Sequence, residues 1–202
     1  YEIKLDNNDS ITFGGYIKAD ARYIDGTVGA TDYWYGGGSA LDKSISNFGI
    51  AVNESRINTK YKHGDLTGFI EMDFYGDAVK GGGNEIISNS SNPRIRHAFI
   101  KYKNLLIGET WSTFVNTSAL AEAADFGGPL VAAAFIRQGQ VRYTMGDFQV
   151  SVENPESYGG VSGNDSMPDI VGRYNMKGDW GNVAIAVVAK QLQTVGGNEE
   201  SA

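Results

Sequence analysis

Apolar and polar residues alternate with a period of two along most of this chain. In "ITFGGYIKADARYI" (11–24), Phe13, Gly15, Ile17, Ala19, Ala21 and Tyr23 fall on one side. Tyr16, Lys18, Asp20 and Arg22 fall on the other. Side chains two apart in a strand share a face. The run therefore predicts a strand with one apolar and one charged face, longer than the ~5–6 residues common in soluble sheets. The pattern returns at 52–62, where Glu54, Arg56, Asn58, Lys60 and Lys62 oppose Ser55, Ile57, Thr59 and Tyr61. At 66–75, Leu66, Gly68, Ile70, Met72 and Phe74 oppose Thr67, Glu71 and Asp73. Further strands are expected at about 94–102, 105–111, 137–145, 147–153, 169–176 and 182–192, about nine in all. Helical periodicity is nearly absent.

The connections between these runs alternate in length. Long segments at about 25–49, 76–92, 112–135 and 154–168 take turns with tight ones at "HGD", Lys103-Asn104, Gly146-Asp147 and Gly178-Asp179. A soluble sandwich or jelly roll mixes lengths without such order. An up-and-down barrel in an outer membrane has it for a mechanical reason, with short periplasmic turns and long outer loops. The expected fold is thus all-β, an antiparallel up-and-down transmembrane β-barrel. Charges such as Arg22, Arg56, Glu71 and Asp73 are tolerable in such a wall if their face looks onto water.

Composition narrows the alternatives. Residues of both charge signs sum to −7, which argues against a generic nucleic-acid binder. Cysteine is absent, so neither disulfides nor thiolate metal sites are possible. The longest apolar runs, "LVAAAFI" and "VAIAVVA", fall well short of the ~18–20 residues of a membrane-spanning helix. The opening "YEIKLDNNDS" lacks the regions of a signal peptide, so an exported protein is expected here in mature form. No cofactor is expected. "DNNDS" and "SGNDSMPD" offer oxygen ligands without EF-hand order, and no Ser-His-Asp, phosphate-loop or zinc spacing occurs. Glu71 and Asp73 share a face as catalytic carboxylates do, but a polar wall explains them more simply. The competing classes are an outer-membrane β-barrel enzyme and a soluble carbohydrate-binding β-protein.

"WSTFVNTSALAEAADFGGPLVAAAFIRQ" follows the fifth strand. It is rich in small residues, with a helix-compatible "SALAEAA" and a "DFGGP" turn signal. Such a segment suits a loop folded into a confined lumen better than a polar outer loop. Folding inward would set Glu109, Glu122 and Asp125 opposite the wall arginines, and a transverse field of that kind sorts ions and orients dipolar solutes. Arg94 and Arg96, two apart in "PRIRHAFIKY", are expected to face the lumen. His97 is expected on the outer side with Ile95 and Phe99, and His63 in a solvated turn. Trp180 fits a periplasmic aromatic girdle.

"PRIRHAFIKY", "NLLIGETWSTF", "ADFGGP" and "FIRQGQVRYT", with "FGGYIKADARY" and "GFIEMDFYG", resemble the DcaP-like trimeric porins of Gram-negative outer membranes. The "DFGG" piece is also similar to the constriction-loop motif of general diffusion porins. The resemblance covers most of 11–192 and is densest over 93–145. It implies a homotrimeric, 16-stranded barrel in outer-membrane lipid and lipopolysaccharide. Such a barrel passes small hydrophilic solutes, often anions such as (di)carboxylates, by diffusion. It places the inward-folded third loop at about 112–135, and it matches Arg22, Arg56, Arg94, Arg96 and Arg142 to the family's wall arginines. Arg137 and Arg173 fit less securely, since alternation near "IRQGQ" is unclear. Lys18, Lys60, Glu71 and Asp73 complete the expected pore lining. On this reading 1–10 is a lead-in, 11–192 carries strands one to nine, and 193–202 begins a further loop. Nine strands are fewer than sixteen, so the chain is expected to be the N-terminal part of a longer barrel.

Overall fold

The computed structural model describes residues 1–6, 9–27, 43–76, 92–120, 136–155, 167–193 and 199–201. The fold is antiparallel β, with no α-helix among the described residues. In chain order the strands are β1 (Glu2–Lys4), β2 (Ser10–Tyr16), β3 (Asp20–Gly26), β4 (Ile45–Ala51), β5 (Arg56–His63), β6 (Leu66–Asp73) and β7 (Arg94–Tyr102). They continue as β8 (Leu105–Trp111), β9 (Arg137–Met145), β10 (Phe148–Glu153), β11 (Asp169–Gly178), β12 (Gly181–Ala189), β13 (Gln191–Gln193) and β14 (Glu199–Ser201). Ten of them form one sheet in the order β1-β2-β5-β6-β7-β8-β9-β10-β11-β12. From β5 to β12 each strand pairs with the next in sequence, the up-and-down order that the alternating connection lengths predict, while β13 and β14 pair in a separate two-stranded sheet.

The first expected strand is split into β2 and β3, interrupted at Ile17–Ala19. The second begins at Arg56 rather than at 52, with the irregular stretch Val52–Ser55 separating β5 from β4. The β3–β4 ladder continues the β2–β5 hairpin with its register displaced by one: Tyr16 faces Arg56, whereas Asp20 faces Ala51. The Ser55 side chain bridges this gap, its hydroxyl meeting both the amide (3.1 Å) and the carbonyl (3.3 Å) of Lys18. Residues 45–49, expected as the end of a long glycine-rich connection, are strand, part of β4. The expected lead-in also pairs, with β1 lying against β2.

The tight turns fall at Gly64-Asp65, Lys103-Asn104 and Gly146-Asp147, each with its first residue in the left-handed region (φ 54°, 52° and 59°). The last turn is Asp179-Trp180, one residue beyond the expected position, because Gly178 pairs with Gly181. Gly108 meets a different need. With φ 131°, a Cβ there would lie 2.2 Å from the Ala98 carbonyl oxygen, so β8 approaches β7 more closely than any side chain permits.

Burial is inverted relative to a water-soluble sheet. Among the described residues four apolar side chains are buried (Ile24, Tyr75, Val115 and Val171) against thirteen polar or charged ones, including Asp73, Arg96, Gln140 and Glu153. Phe13, Ile57, Ile70, Ile100, Ile107, Val141, Ile170, Ile185 and Val187 are all exposed on the opposite face. The alternation thus sorts into a continuous apolar outer face and a polar inner one. This matches a wall between hydrocarbon and water, since an aqueous sheet buries its apolar side.

Candidate functional site

The polar face is organised around a β-bulge. Along β6–β7, Glu71 pairs with His97 and Met72 with Ile95, so Arg96 is the extra residue. One added residue reverses the parity of everything beyond it. Arg94 and Arg96 lie on the polar face, and so do His97, Phe99 and Lys101. Ile95, Ala98, Ile100 and Tyr102 lie outside. This corrects the expectation that His97 and Phe99 are on the outer side. His97 is buried, 3.0 Å from the Thr110 hydroxyl, and Phe99 stacks at 5.5 Å against Phe69.

The bulge converges two guanidiniums on one carboxylate. Arg94 donates from Nε (2.9 Å) and Nη2 (2.6 Å) to the two oxygens of Asp73. Arg96 donates from Nη1 to Asp73 (3.1 Å) and from Nε to Glu71 (3.0 Å), and Asn58 donates to the remaining Glu71 oxygen at 3.3 Å. Asp73 is wholly buried and Arg96 is 2% exposed. A buried charge requires such pairing, and bidentate forks fix its geometry. Arg56 stands beside this cluster, over the Tyr16 ring at 5.4 Å.

A second cluster spans the strand break. Glu54, 2% exposed, accepts from Lys18 and from Arg22 Nη2 (3.2 Å), and Lys18 also reaches Asp20 at 2.8 Å. Lys18, Arg22, Arg56, Arg94 and Arg96 thus stand with Glu54, Glu71 and Asp73 in these two clusters.

Beyond β8 the chain turns onto the polar face and is held there. Arg142 donates to the Trp111 carbonyl and, through Nε, to Gln140 (2.9 Å). Gln140 reaches the Thr110 and Trp111 carbonyls at 3.2 and 3.0 Å. Glu153 accepts the Thr113 amide at 2.8 Å. Arg173 donates to the Val115 carbonyl and to the Asn116 side chain (3.0 Å), and Asn116 approaches Asn182 at 3.4 Å. A short 3-10 turn, Thr117–Ala119, follows, capped by Asn116, whose side-chain oxygen accepts the Ser118 amide. Residues 112–116 thus lie against the inner wall, while 117–119 are exposed. Glu122 and Asp125, expected as acids of this loop, lie outside the described residues.

Glu109 departs from its expected place. It sits within β8, not in the loop, and pairs with Ala98 and Gly139 on the face of Ile107 and Val141, away from the arginines. Alternation alone could have shown this, since Glu109 is two residues from Ile107. Arg142 and Arg173 are on the polar face but bind backbone carbonyls, a role that residue type alone does not reveal. Glu153 and Gln140, absent from the expected set, are the other clamps.

Registers across β5 to β11 give the charge of this face. Arg56, Lys60 and Lys62 come from β5, Arg94, Arg96 and Lys101 from β7, Arg142 from β9, and Arg173 and Lys177 from β11. Those nine cations meet four carboxylates: Glu71, Asp73, Glu153 and Asp169. The polar face is net basic although the chain as a whole carries −7.

The sequence pattern of the DcaP outer membrane protein family matches residues 2–195. Among solved structures, the outer membrane channel DcaP of Acinetobacter baumannii superposes with a TM-score of 0.72 at 23% identity. The superposition covers 98% of this chain and 58% of that one, so the chain spans little more than half the length of the channel it matches. No curated protein matches. With its inverted β wall and a family pattern running through nearly all its residues, the chain belongs to the DcaP outer membrane protein family.

Proposed function

We propose that this chain forms the wall of a larger, closed outer-membrane barrel through which small hydrophilic solutes diffuse, with preference for anions such as (di)carboxylates. The observation that carries the reading is the nine-to-four excess of cations over carboxylates on the polar face of β5 to β11. Ions in a narrow aqueous lumen respond to nearby wall charge more than to charge on outer loops. Arg94, Arg56 and Arg22 form the basic side of the proposed constriction, with Lys18 and Lys60 extending it. The third loop, of which Ser112 to Asn116 are clamped to the wall and 121–135 lie outside the described residues, is the other side of that proposed constriction. Asp73, Glu71 and Glu54 hold the arginines in fixed orientations and leave part of their charge toward the lumen. A homotrimer in lipid and lipopolysaccharide completes the reading, supported by the family resemblance.

The test is the reversal potential of the purified protein in planar bilayers under a potassium chloride gradient. Chloride-selective current is expected. Arg22→Gln combined with Arg94→Gln should shift the reversal potential toward cation selectivity without abolishing conductance. Dominant cation flux in the unaltered protein would overturn the anion preference. A freely soluble, non-conducting monomer would overturn the channel.

A further inference from the structure

We infer that the polar wall carries a separate binding site for a small organic ammonium ion with an apolar body, held by Glu153, Asp169 and Gln138 beside the clamped segment. This goes beyond the anion reading, and different measurements decide the two.

A cavity of about 270 Å³ lies between that segment and the ends of β9 to β12 that are far from the tight turns. Phe114 comes from the segment, Ile136 from just before β9, Val171 from β11 and Val188 from β12, so most of the lining is hydrocarbon. Two carboxylates break it. Glu153 of β10 and Asp169 of β11 are cross-strand partners, 3% and 6% exposed. Directly opposed like charges repel, and buried ones call for a cation. Lys190, just past β12, brings one positive charge to the cavity against two negative.

Glu153 is the carboxylate left short. Among the described residues it forms no ion pair. Its two hydrogen bonds come from neutral donors, the Thr113 amide (2.8 Å) and the Ser151 hydroxyl (2.7 Å), and both fall on Oε1. Arg142, two residues along the ladder, is committed to Gln140 and to the Trp111 carbonyl. Gln138 is a second and independent vacancy. It lines the same cavity at 6% exposure, yet among the described residues its carboxamide makes no hydrogen bond. A buried amide rarely stays so without a partner.

The open acceptors, Glu153 Oε2 and Gln138 Oε1, ask for a donor, and the excess negative charge asks for a cation. A metal ion takes more oxygen ligands than these, and no three acidic or histidine ligands come together among the described residues. A primary ammonium donates three hydrogen bonds from one point, while its hydrocarbon body fills the apolar remainder. The volume suits a small ligand, near the lower end of the ~300–1,000 Å³ of small-molecule sites.

The test titrates phenethylammonium chloride into the purified protein in uncharged detergent and reads the heat. Phenylacetate is the matched anion and potassium chloride the bare cation. Saturable binding of phenethylammonium alone is expected. Gln138→Leu should weaken it about tenfold, and Glu153→Gln should abolish it. Glu153 also clamps Thr113, so Gln138→Leu decides the matter if Glu153→Gln does not assemble. The proposal is overturned by an absence of saturable binding, by equal affinity for phenylacetate, or by displacement with equimolar potassium. Unchanged affinity in Gln138→Leu overturns it as well. Bilayer conductance of the same protein separates the two readings. Conduction without amine binding rejects only this site, whereas amine binding by a non-conducting protein rejects only the channel.

Discussion

Arg96 reaches Asp73 at 3.1 Å from the bulged position of β7, and both side chains are almost completely shielded from water. The same carboxylate also receives the fork of Arg94. Removing it should leave the buried Arg96 guanidinium short of one counterion, with Glu71 remaining at 3.0 Å. Asp73→Asn is expected to destabilise the wall by about 3 kcal/mol, the low end for a broken buried pair because Arg94 keeps some contact with water. Thermal dissociation in detergent reads this loss. The same variant should increase chloride preference in bilayers, since one negative charge leaves the basic face.

The segment after β8 is held by charged donors to backbone carbonyls, each worth roughly 1.5–3 kcal/mol. Arg173→Ala removes the bonds to Val115 and Asn116, and Arg142→Ala the one to Trp111. Either variant should loosen residues 112–120. The expected record is noisier single-channel current and faster limited proteolysis within this segment, with the strands intact. Arg173→Lys should restore quiet current only partly, because an ammonium cannot reproduce the fork.

Gly108→Ala introduces a Cβ 2.2 Å from the Ala98 carbonyl at a φ of 131°. Backbone must move on both strands, so a loss of at least ~2 kcal/mol is expected. Gly68→Ala is the control, with nothing within 4 Å of the added carbon, and should stay within about 0.5 kcal/mol. Urea unfolding of the two variants in detergent compares them directly.

Outside the strands, Asp9 accepts from the Tyr61 hydroxyl at 2.8 Å and lies 2.6 Å from His63 Nδ1. The Tyr61 hydrogen bond and then His63 hold its carboxyl below the ordinary value of 3.8. A carboxyl depressed on folding contributes stability that is full above its unfolded pKa and disappears as pH falls through the folded one. The Asp9 share of the tie between the β1–β2 turn and β5 should therefore be lost on the acid side, as pH falls below about 4. Asp9→Asn should remove that acid-side dependence, read as the difference between the two proteins' melting temperatures across pH 3 to 6.

Much of this wall is legible in the alternation. Arg22, Arg56, Glu71 and Asp73 fall on the polar face because a period of two leaves no other choice once the apolar face is assigned. Parity, however, counts residues and does not see bulges. The extra residue at Arg96 reverses it, so "PRIRHAFIKY" is polar-in at Arg94 and again at Lys101, although these are seven apart. The break at Ile17–Ala19 hides in the same way, since Lys18 continues the alternation while its ladder has stopped. The pairing partners were not readable, because Asp73, Glu54 and Glu153 are chosen by cross-strand register. Glu109 marks a different limit. Its acidity groups it with the loop that follows, whereas its distance of two from Ile107 puts it on the outer face.

The gap between β2 and β3, with its counterpart between β4 and β5, makes the first hairpin two zippers joined by a clasp. Along most of the wall, neighbouring strands are held by backbone ladders that are indifferent to dissolved ions. Across this seam the load passes through Ser55 and the Lys18–Glu54–Arg22 group. The first hairpin should then be a part of the wall whose mechanical strength varies with ionic strength. Pulled apart, it should yield in two steps rather than one, with the pause between them shortened by salt.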